Sequence, residues 1–327
     1  MKKRLLSKDA AHIVLAGDIG GTNTTLAIAA VQNKKVSLLR VQRFSSQNLS
    51  SLEHPIKEML SSTSKKVHRA CLAIAGPIHN NRVKVTNLPW VVNGSSLAKK
   101  TGLQSCTLIN DFQAIGFGVD LLPKKDIVTL QKGVRQRHAP KAIVGAGTGL
   151  GKSIVVYDKE VQMYVPLPSE GGHGDLPFTS AEQELSSFLG VRVEQEMVLS
   201  GKGIARLFDF FRGSCYEDIA RAKDPAPLVA HAYSKNRAAR QAMDVFACFY
   251  ARVLKNFCLD TLPFGGAYIA GGIAAKNTYL FIKKKWLNEF CAVRKELRGE
   301  LEKIPVYLIK NYSVSLYGAA LAARVMS

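Results

Sequence analysis

Two stretches of this sequence share one pattern, and together they narrow the folds open to it. In the first, Ile13-Val14-Leu15-Ala16 leads into Gly17-Asp18-Ile19-Gly20-Gly21-Thr22-Asn23, and Leu26-Ala27-Ile28-Ala29-Ala30-Val31 leads out. In the second, Ala142-Ile143-Val144 leads into Gly145-Ala146-Gly147-Thr148-Gly149-Leu150-Gly151, and Ile154-Val155-Val156-Tyr157 leads out. Strand, glycine turn with a threonine, strand therefore occurs twice, about 125 residues apart. The chain has 327 residues, room for two domains. The repeat predicts two similar α/β domains, each offering a phosphate-gripping hairpin to a shared cleft.

The chemistry of the first stretch supports that expectation. Its glycines clear space for a bulky ligand, and exposed backbone N–H groups in such a turn form a concave anion site. Thr22 and Asn23 add side-chain donors. Asp18 is the odd member, because a carboxylate repels phosphate. It fits if Mg²⁺ lies between them, since Mg²⁺ binds through one or two carboxylates plus phosphate oxygens. A β-hairpin turn with a capping Asp is the alternative for this stretch taken alone.

Bulk properties restrict the class further. The chain is 47% apolar and 21% charged, a composition that builds sizeable cores. No apolar run approaches the roughly 20 residues of a membrane span. Met1-Lys2-Lys3-Arg4 resembles the start of a secretory signal, but Ser7-Lys8-Asp9 interrupts the apolar region that should follow. The expectation is a soluble, intracellular protein. Its six cysteines form no Cys-x-x-Cys pair and read as buried free thiols. The formal charge of +20 permits attraction to nucleic acid or to anionic substrates. The basic clusters (Lys2 to Arg4, Lys124-Lys125, Arg135 to His138, Lys283 to Lys285) lack the interleaved aromatics of a nucleic-acid platform, so a solvated basic surface is the preferred reading.

Between and beyond the two turns, Ser50 and Glu53 have capping-box spacing ahead of a helix with Leu52, Ile56, Met59 and Leu60 on one face. Val67 to Ala75 reads as a strand, and Asn80-Asn81 as a hairpin tip before Val83. Cys106 to Ile109 is a short buried strand that delivers Asn110-Asp111 at its carboxyl end, where open α/β sheets bind ligands. Thr179 and Glu182 again have capping-box spacing, before a face of Ala181, Leu185, Phe188 and Leu189. A long helix is predicted from about Arg237 to Leu259 with Met243, Phe246, Tyr250, Val253 and Phe257 inward, ended by Pro263 and Gly265-Gly266. Ala267 to Ala270 and Ile304 to Ile309 read as strands, and Leu316 to Val325 as a helix of small residues. Ala146 to Ser153 fits a relaxed P-loop pattern, but a P-loop needs a helix directly after Lys152-Ser153. Ile154-Val155-Val156-Tyr157 favours a strand there instead.

Three places carry candidate chemistry. Asp111 is the candidate catalytic base, since a carboxylate can orient an alcohol and accept its proton during attack. A helix-capping role is its alternative. Ser169-Glu170-Gly171-Gly172-His173-Gly174-Asp175 combines carboxylate, imidazole and close-approach glycines, which suits a polyhydroxylated ligand. A polar turn and a metal site are the other readings, the latter weakened by the single histidine. Glu196 alone looks like an exposed helix residue.

Taken in order, Gly17 to Asn23, Ala73 to Ile78, Ile109 to Phe112, Gly145 to Gly151, Glu170 to His173, Val198 to Gly203 and Ile269 to Ile273 resemble the bacterial glucokinases, of the hexokinase/actin-like ATPase superfamily. The set spans nearly the whole chain and is specific as an ordered set. The resemblance implies a two-domain α/β actin-like ATPase (ribonuclease H-like) fold with a cleft between domains. The expected domains are 1–110 plus 312–327, and 111–311, closing over the sugar to exclude water. It implies ATP-dependent phosphorylation of glucose to glucose 6-phosphate, the first step of glycolysis, in the cytoplasm, by a homodimer that binds neither membrane nor nucleic acid. Asp111 becomes the base, and Asn110, Glu170, His173 and Glu196 the sugar ligands. Gly17, Asp18, Ile19, Gly20, Gly21, Thr22 and Asn23 become one ATP loop and Gly147, Thr148 and Gly149 the other. Gly271 and Gly272 lie against the adenosine, and Asp18 serves Mg²⁺ through Mg-ATP.

The chain departs from the family pattern at four places. Thr25 stands where the family often has Arg. The spacing from Glu170 to Glu196 is short. Ser313-Val314-Ser315 replaces an Asn-Pro-Gly turn. Lys152 replaces an apolar residue and is expected to point to solvent. The ROK sugar kinases carry a zinc-binding cysteine cluster after their Glu-His motif, and no cysteine lies between Cys106 and Cys215, which sets the chain outside that branch. A kinase for another hexose or amino sugar, and a catalytically silent sugar sensor, remain the alternatives.

Overall fold

The structure, a computed structural model, describes residues 11–85 and 88–326; the Lys2 to Arg4 cluster lies outside them. Two compact units emerge. The first runs through Pro123 and adds Tyr164–Pro168 and the segment from Ser313 onward. The second comprises Lys124–Met163 and Ser169–Tyr312.

In the first unit, β1 (His12–Ile19), β2 (Asn23–Gln32), β3 (Lys35–Ser45), β4 (Arg69–Ile74) and β7 (Ser105–Asn110) form a sheet of order β3-β2-β1-β4-β7. A small hairpin of β5 (Arg82–Lys84) and β6 (Val91–Asn93) stands apart from it, with Asn80 and Asn81 both at positive φ before β5. Strands β1, β2 and β3 are antiparallel, whereas β1, β4 and β7 are parallel. Side chains alternate across a strand, so the sheet has two different faces. Leu15, Ile19, Leu26, Ile28, Leu72 and Ile74 meet Ile56 and Met59 of the helix Glu53–Ser61 and Leu97 of the helix Gly94–Thr101. The opposite face carries Ala16, Ala27, Ala29, Cys71 and Ala73, all fully buried. Only small side chains there let the C-terminal helix Val314–Val325 lie close against the sheet. That helix crosses the helix Asp111–Gly118 just as tightly, since a Cβ on Gly318 would stand 1.7 Å from the Ala114 carbonyl. This packing holds residues 111–123 in the first unit, so the expected boundary after Asn110 falls instead after Pro123.

The second unit repeats the scheme. Its strands are β8 (Ile127–Gln131), β9 (Lys141–Ala146), β10 (Leu150–Asp158), β12 (Ala267–Ala270) and β13 (Val306–Ile309). They run in the order β10-β9-β12-β13-β8. Strand β11 (Met163–Leu167) straddles the division, since its residues from Tyr164 onward group with the first unit. As in the first sheet, an antiparallel hairpin (β9 with β10) is followed by two parallel neighbours (β12, β13). The helix Arg237–Thr261 buries Met243, Phe246, Tyr250, Val253 and Phe257, and Tyr250 Oη donates to the Val144 carbonyl of β9 at 3.0 Å. Asn236 caps its start, and Leu262 ends it in the left-handed region.

Several local expectations need correction. Ser51, not Ser50, accepts from the Glu53 N–H, and the helix there forms no side-chain cap. Leu185 and Leu189 are buried, but Phe188 is exposed within the helix, and Ala181 is exposed because the helix starts only at Gln183. Strand β10 continues unbroken through Lys152 and Ser153, so the P-loop pattern has no helix behind it. Lys152 does not point to solvent. It lies between Leu150 and Ile154 on the core face of β10, only 7% exposed, with its ammonium 5.2 Å from the Phe257 ring. Burial pulls that ammonium down to about 8, opposed by the Asp260 carboxylate.

Candidate active site

In the first unit, the parallel register aligns Ile19 with Ile74 and Ile74 with Asn110. The glycine turn after β1 and the Asn110-Asp111 step after β7 therefore leave the sheet at the same end. Two strand spacings separate them, roughly 10 Å. The turn is tight: the Gly20 N–H donates to the Asn23 carbonyl at 2.9 Å. Ser46, fully buried at the end of β3, holds it from behind. Its hydroxyl donates to the Gly20 carbonyl at 2.7 Å and lies 2.9 Å from Thr24 Oγ1, and its N–H donates to the Thr22 carbonyl at 2.9 Å. Gly17 and Ile19 face the core: a Cβ on Gly17 would stand 2.6 Å from Leu72 Cδ2, and Ile19 is buried. Those two offer backbone only, whereas Gly21, Thr22 and Asn23 keep exposure.

Period-two alternation puts Asp18 on the face covered by the C-terminal helix, where the Ser315 hydroxyl donates to Asp18 Oδ2. Burial raises the Asp18 carboxyl, and the Ser315 hydroxyl and the Arg43 guanidinium pull it back. Arg43 is the register partner of Thr25 on the adjacent strand. Arg43 thus brings a positive charge to Asp18 from β3. Among the described residues no cluster of three metal-ligating side chains occurs. A single carboxylate beside a phosphate turn nonetheless suits a cation that arrives with phosphate oxygens and water.

Asn110 caps the helix Asp111–Gly118: its Oδ1 accepts from the Phe112 N–H at 2.8 Å, and its own N–H donates to Gln113 Oε1 at 3.1 Å. The cap is therefore Asn110, not Asp111, which occupies the first helical position and accepts from the Phe112 N–H at 3.0 Å. With the Asn110 oxygen committed, its amide group is what it offers to a hydroxyl.

The second unit gathers the other candidates. The Gly147 N–H donates to the Gly149 carbonyl at 2.8 Å, and the Gly201 N–H donates to the Gly147 carbonyl at 3.0 Å. This sets the turn against the start of the helix Gly201–Arg212, capped by Ser200. A helix N-terminus there favours phosphate. Gly271, at φ +91°, follows β12 with its missing Cβ only 2.4 Å from the Ala146 carbonyl, so it and Gly272 leave the sheet beside that turn. Glu196 touches the turn itself: its Oε2 accepts from the Leu150 N–H at 2.9 Å. Gly172 packs on the same strand, since a Cβ there would stand 1.9 Å from the Leu150 carbonyl. Gly171 rests on the Lys152 stem. His173 Nδ1 is 2.7 Å from Glu194 Oε2. That bond raises the His173 imidazole, burial opposes it, and the nearby charges of Glu196, Glu194 and Glu170 add smaller upward effects. Glu170, His173 and Glu196 thus converge on one loop-and-turn system. Ser46, Ser315, Glu194 and Ser200 were not singled out from sequence as site groups, because each acts through a partner distant in the chain or through backbone.

Two like-built α/β units, each heading its central strand pair with a glycine turn suited to phosphate, define a phosphotransferase of the actin-like ATPase fold. Comparison with known proteins narrows the class. The glucokinase family model matches residues 15–326. A glucokinase from Nostoc sp. strain PCC 7120 is 36% identical over 340 aligned positions, covering 95% of this chain and 98% of its own. One from Tolumonas auensis is 34% identical over 322, covering 96% and 98%. The crystal structure of a glucokinase from an Antarctic psychrotroph matches with a TM-score of 0.81 at 25% identity, over 95% of this chain and 98% of that one. The chain belongs to the glucokinase family.

Proposed function

We propose that this chain transfers the γ-phosphoryl group of ATP to the 6-hydroxyl of glucose, with Asp111 as the base. The observation that carries the assignment of roles is the shared end of the first sheet, where the Asp18 turn and Asn110-Asp111 emerge two strands apart. A hydroxyl attacking phosphorus in line must lose its proton, and a carboxylate that orients the O–H takes it as the P–O bond forms. Asn110, Glu170, His173 and Glu196 bind the sugar hydroxyls, and a site that pairs each hydroxyl rejects sugars lacking one. The turns Gly20 to Asn23 and Gly147 to Gly149 hold phosphate, with the Gly20 and Gly147 N–H groups spent on closing the turns themselves, and Gly271-Gly272 makes room for the nucleoside. Asp18 would hold, on the protein side, the Mg²⁺ that ATP carries, and that ion would supply charge neutralisation at the phosphates.

Among the described residues no helix is long and apolar enough to cross a membrane. Use of ATP and glucose places the reaction in the cytoplasm. A homodimer is the assembly that the resemblance implies, and light scattering on the purified chain reads it.

The test is ADP release with Mg-ATP across glucose, mannose, fructose, glucosamine and N-acetylglucosamine, with a sugar-free control. The highest kcat/KM is expected for glucose. Faster turnover of another sugar would move the substrate, and no sugar-dependent release from folded protein would overturn the proposal.

A further inference from the structure

Glu194 has no role in the assignments above, yet it makes the shortest polar contact recorded for His173. Its segment is fastened to the sugar loop by backbone on both sides. The Leu176 N–H donates to the Val193 carbonyl at 2.8 Å, and the Gln195 N–H donates to the Gly174 carbonyl at 2.9 Å. Asp175 and Glu194 form an isolated antiparallel bridge between them. These backbone bonds hold the loop, and the Glu194 side chain also accepts from the Met197 N–H to cap the one-turn helix Gln195–Val198. The His173 and Glu194 side chains are 55% and 40% exposed, and an ion pair that open adds little to stability. Beyond that cap, what the carboxylate can do there is fix the imidazole. A carboxylate on Nδ1 keeps a proton on that nitrogen and sets the ring plane, which leaves Nε2 as the nitrogen for a ligand.

We infer that Glu194 is a positioning residue of the sugar site: it accepts the His173 Nδ1–H and holds the ring so that Nε2 meets a hydroxyl of glucose. The inference deepens the proposed function and rests on its assignment of His173 as a sugar ligand. Three carboxylates face this ring, Glu194 in direct contact and Glu196 and Glu170 through space, and all three favour its protonated form. Removing Glu194 alone should lower the His173 titration midpoint only in part, because the other two remain.

The experiment compares Glu194→Ala, Glu194→Gln and His173→Ala in the full chain, by steady-state kinetics and by ¹⁵N imidazole NMR. The chain has seven histidines, and the His173→Ala spectrum assigns the signal. Glu194→Ala should raise the glucose KM about tenfold, as expected for losing a hydrogen bond to a charged group. It should leave kcat and the ATP KM within about twofold. The His173 midpoint should fall, and its Nδ1–H tautomer should give way to a mixture. Glu194→Gln keeps an acceptor oxygen and should restore most of the glucose KM and the tautomer, though not the midpoint. If His173→Ala raises the glucose KM while Glu194→Ala does not, the inference is overturned and the ligand assignment stands. If His173→Ala leaves the glucose KM unchanged, the assignment itself fails and takes the inference with it, whatever the NMR shows of the Glu194 contact.

Discussion

Asp18 sits where burial resists its charge, beside a turn built to receive phosphate. Burial raises its carboxyl, so ionisation costs more there than on an exposed aspartate. The sign follows: Asp18 favours the fold when protonated, and that contribution is lost as pH rises from the ordinary carboxylate range through its raised value. Asp18→Asn keeps the shape and an acceptor for Ser315 without the charge. Its Tm at pH 7 should equal or exceed that of the parent, while turnover falls by at least about a hundredfold; scanning fluorimetry beside a coupled assay checks both, and a lower Tm with retained turnover contradicts the reading. Gly172 is constrained from the opposite direction, by space. Its Cβ would stand 1.9 Å from the Leu150 carbonyl, which is backbone and cannot swing aside. Gly172→Ala should cost about 1–3 kcal/mol and raise the glucose KM more than the ATP KM, measured by denaturant titration and initial rates. At this scale the sequence showed residue types and missed partners. Asp18 was legible as the odd carboxylate of a phosphate turn, but its partner Ser315 is 297 residues away. His173 was legible, but Glu194 stands 21 residues off, across a fold that local pattern does not describe.

The elements were easier to read than their support. The long helix Arg237–Thr261 was visible because its apolar stripe and its Pro-Gly ending agree, while its Asn236 cap emerged only in the structure. The first phosphate turn was equally visible, but not the hydroxyl that braces it. Ser46 is placed by the pairing of β2 with β3, which aligns Asn23 with Ser45. Ser46→Ala should cost about 1–2 kcal/mol through the two unmade hydrogen bonds and raise the ATP KM several-fold with the glucose KM little changed, as initial rates against each substrate will show. Lys152 shows the limit of residue type as a guide. A lysine reads as a surface group, yet the period of β10 turns it inward beside Leu150 and Ile154, with its stem under Gly171. Its lowered value, about 8, means that the fold bears the cost of the ammonium below that pH and is relieved as pH rises from there towards the ordinary lysine value. Lys152→Met keeps the stem and removes the charge. It should stabilise the protein at pH 7, on the order of 1–3 kcal/mol, with the gain shrinking by pH 10; chemical denaturation at the two pH values measures it.

Over the whole molecule, the repeated glycine turn carried most of the architecture. Each copy heads an antiparallel hairpin followed by two parallel strands, in units of their own. What the repeat did not reveal was where the chain divides, because residues 111–123 are held by a helix crossing that depends on Gly118 and Gly318 against distant backbone. Of the proposed site groups, Asp111, Asn110 and the Asp18 turn lie in the first unit and Glu170, His173, Glu196 and the Gly147 turn in the second. The central claim is that Asp111 takes the proton from the attacking hydroxyl of glucose. Its most direct measurement is glucose-dependent ADP release by Asp111→Asn beside the parent, with glucose affinity read by calorimetry on the same samples. Affinity within a few-fold of the parent and turnover reduced by about 10²–10⁴-fold are expected. Near-parental turnover in the variant would contradict that role for Asp111.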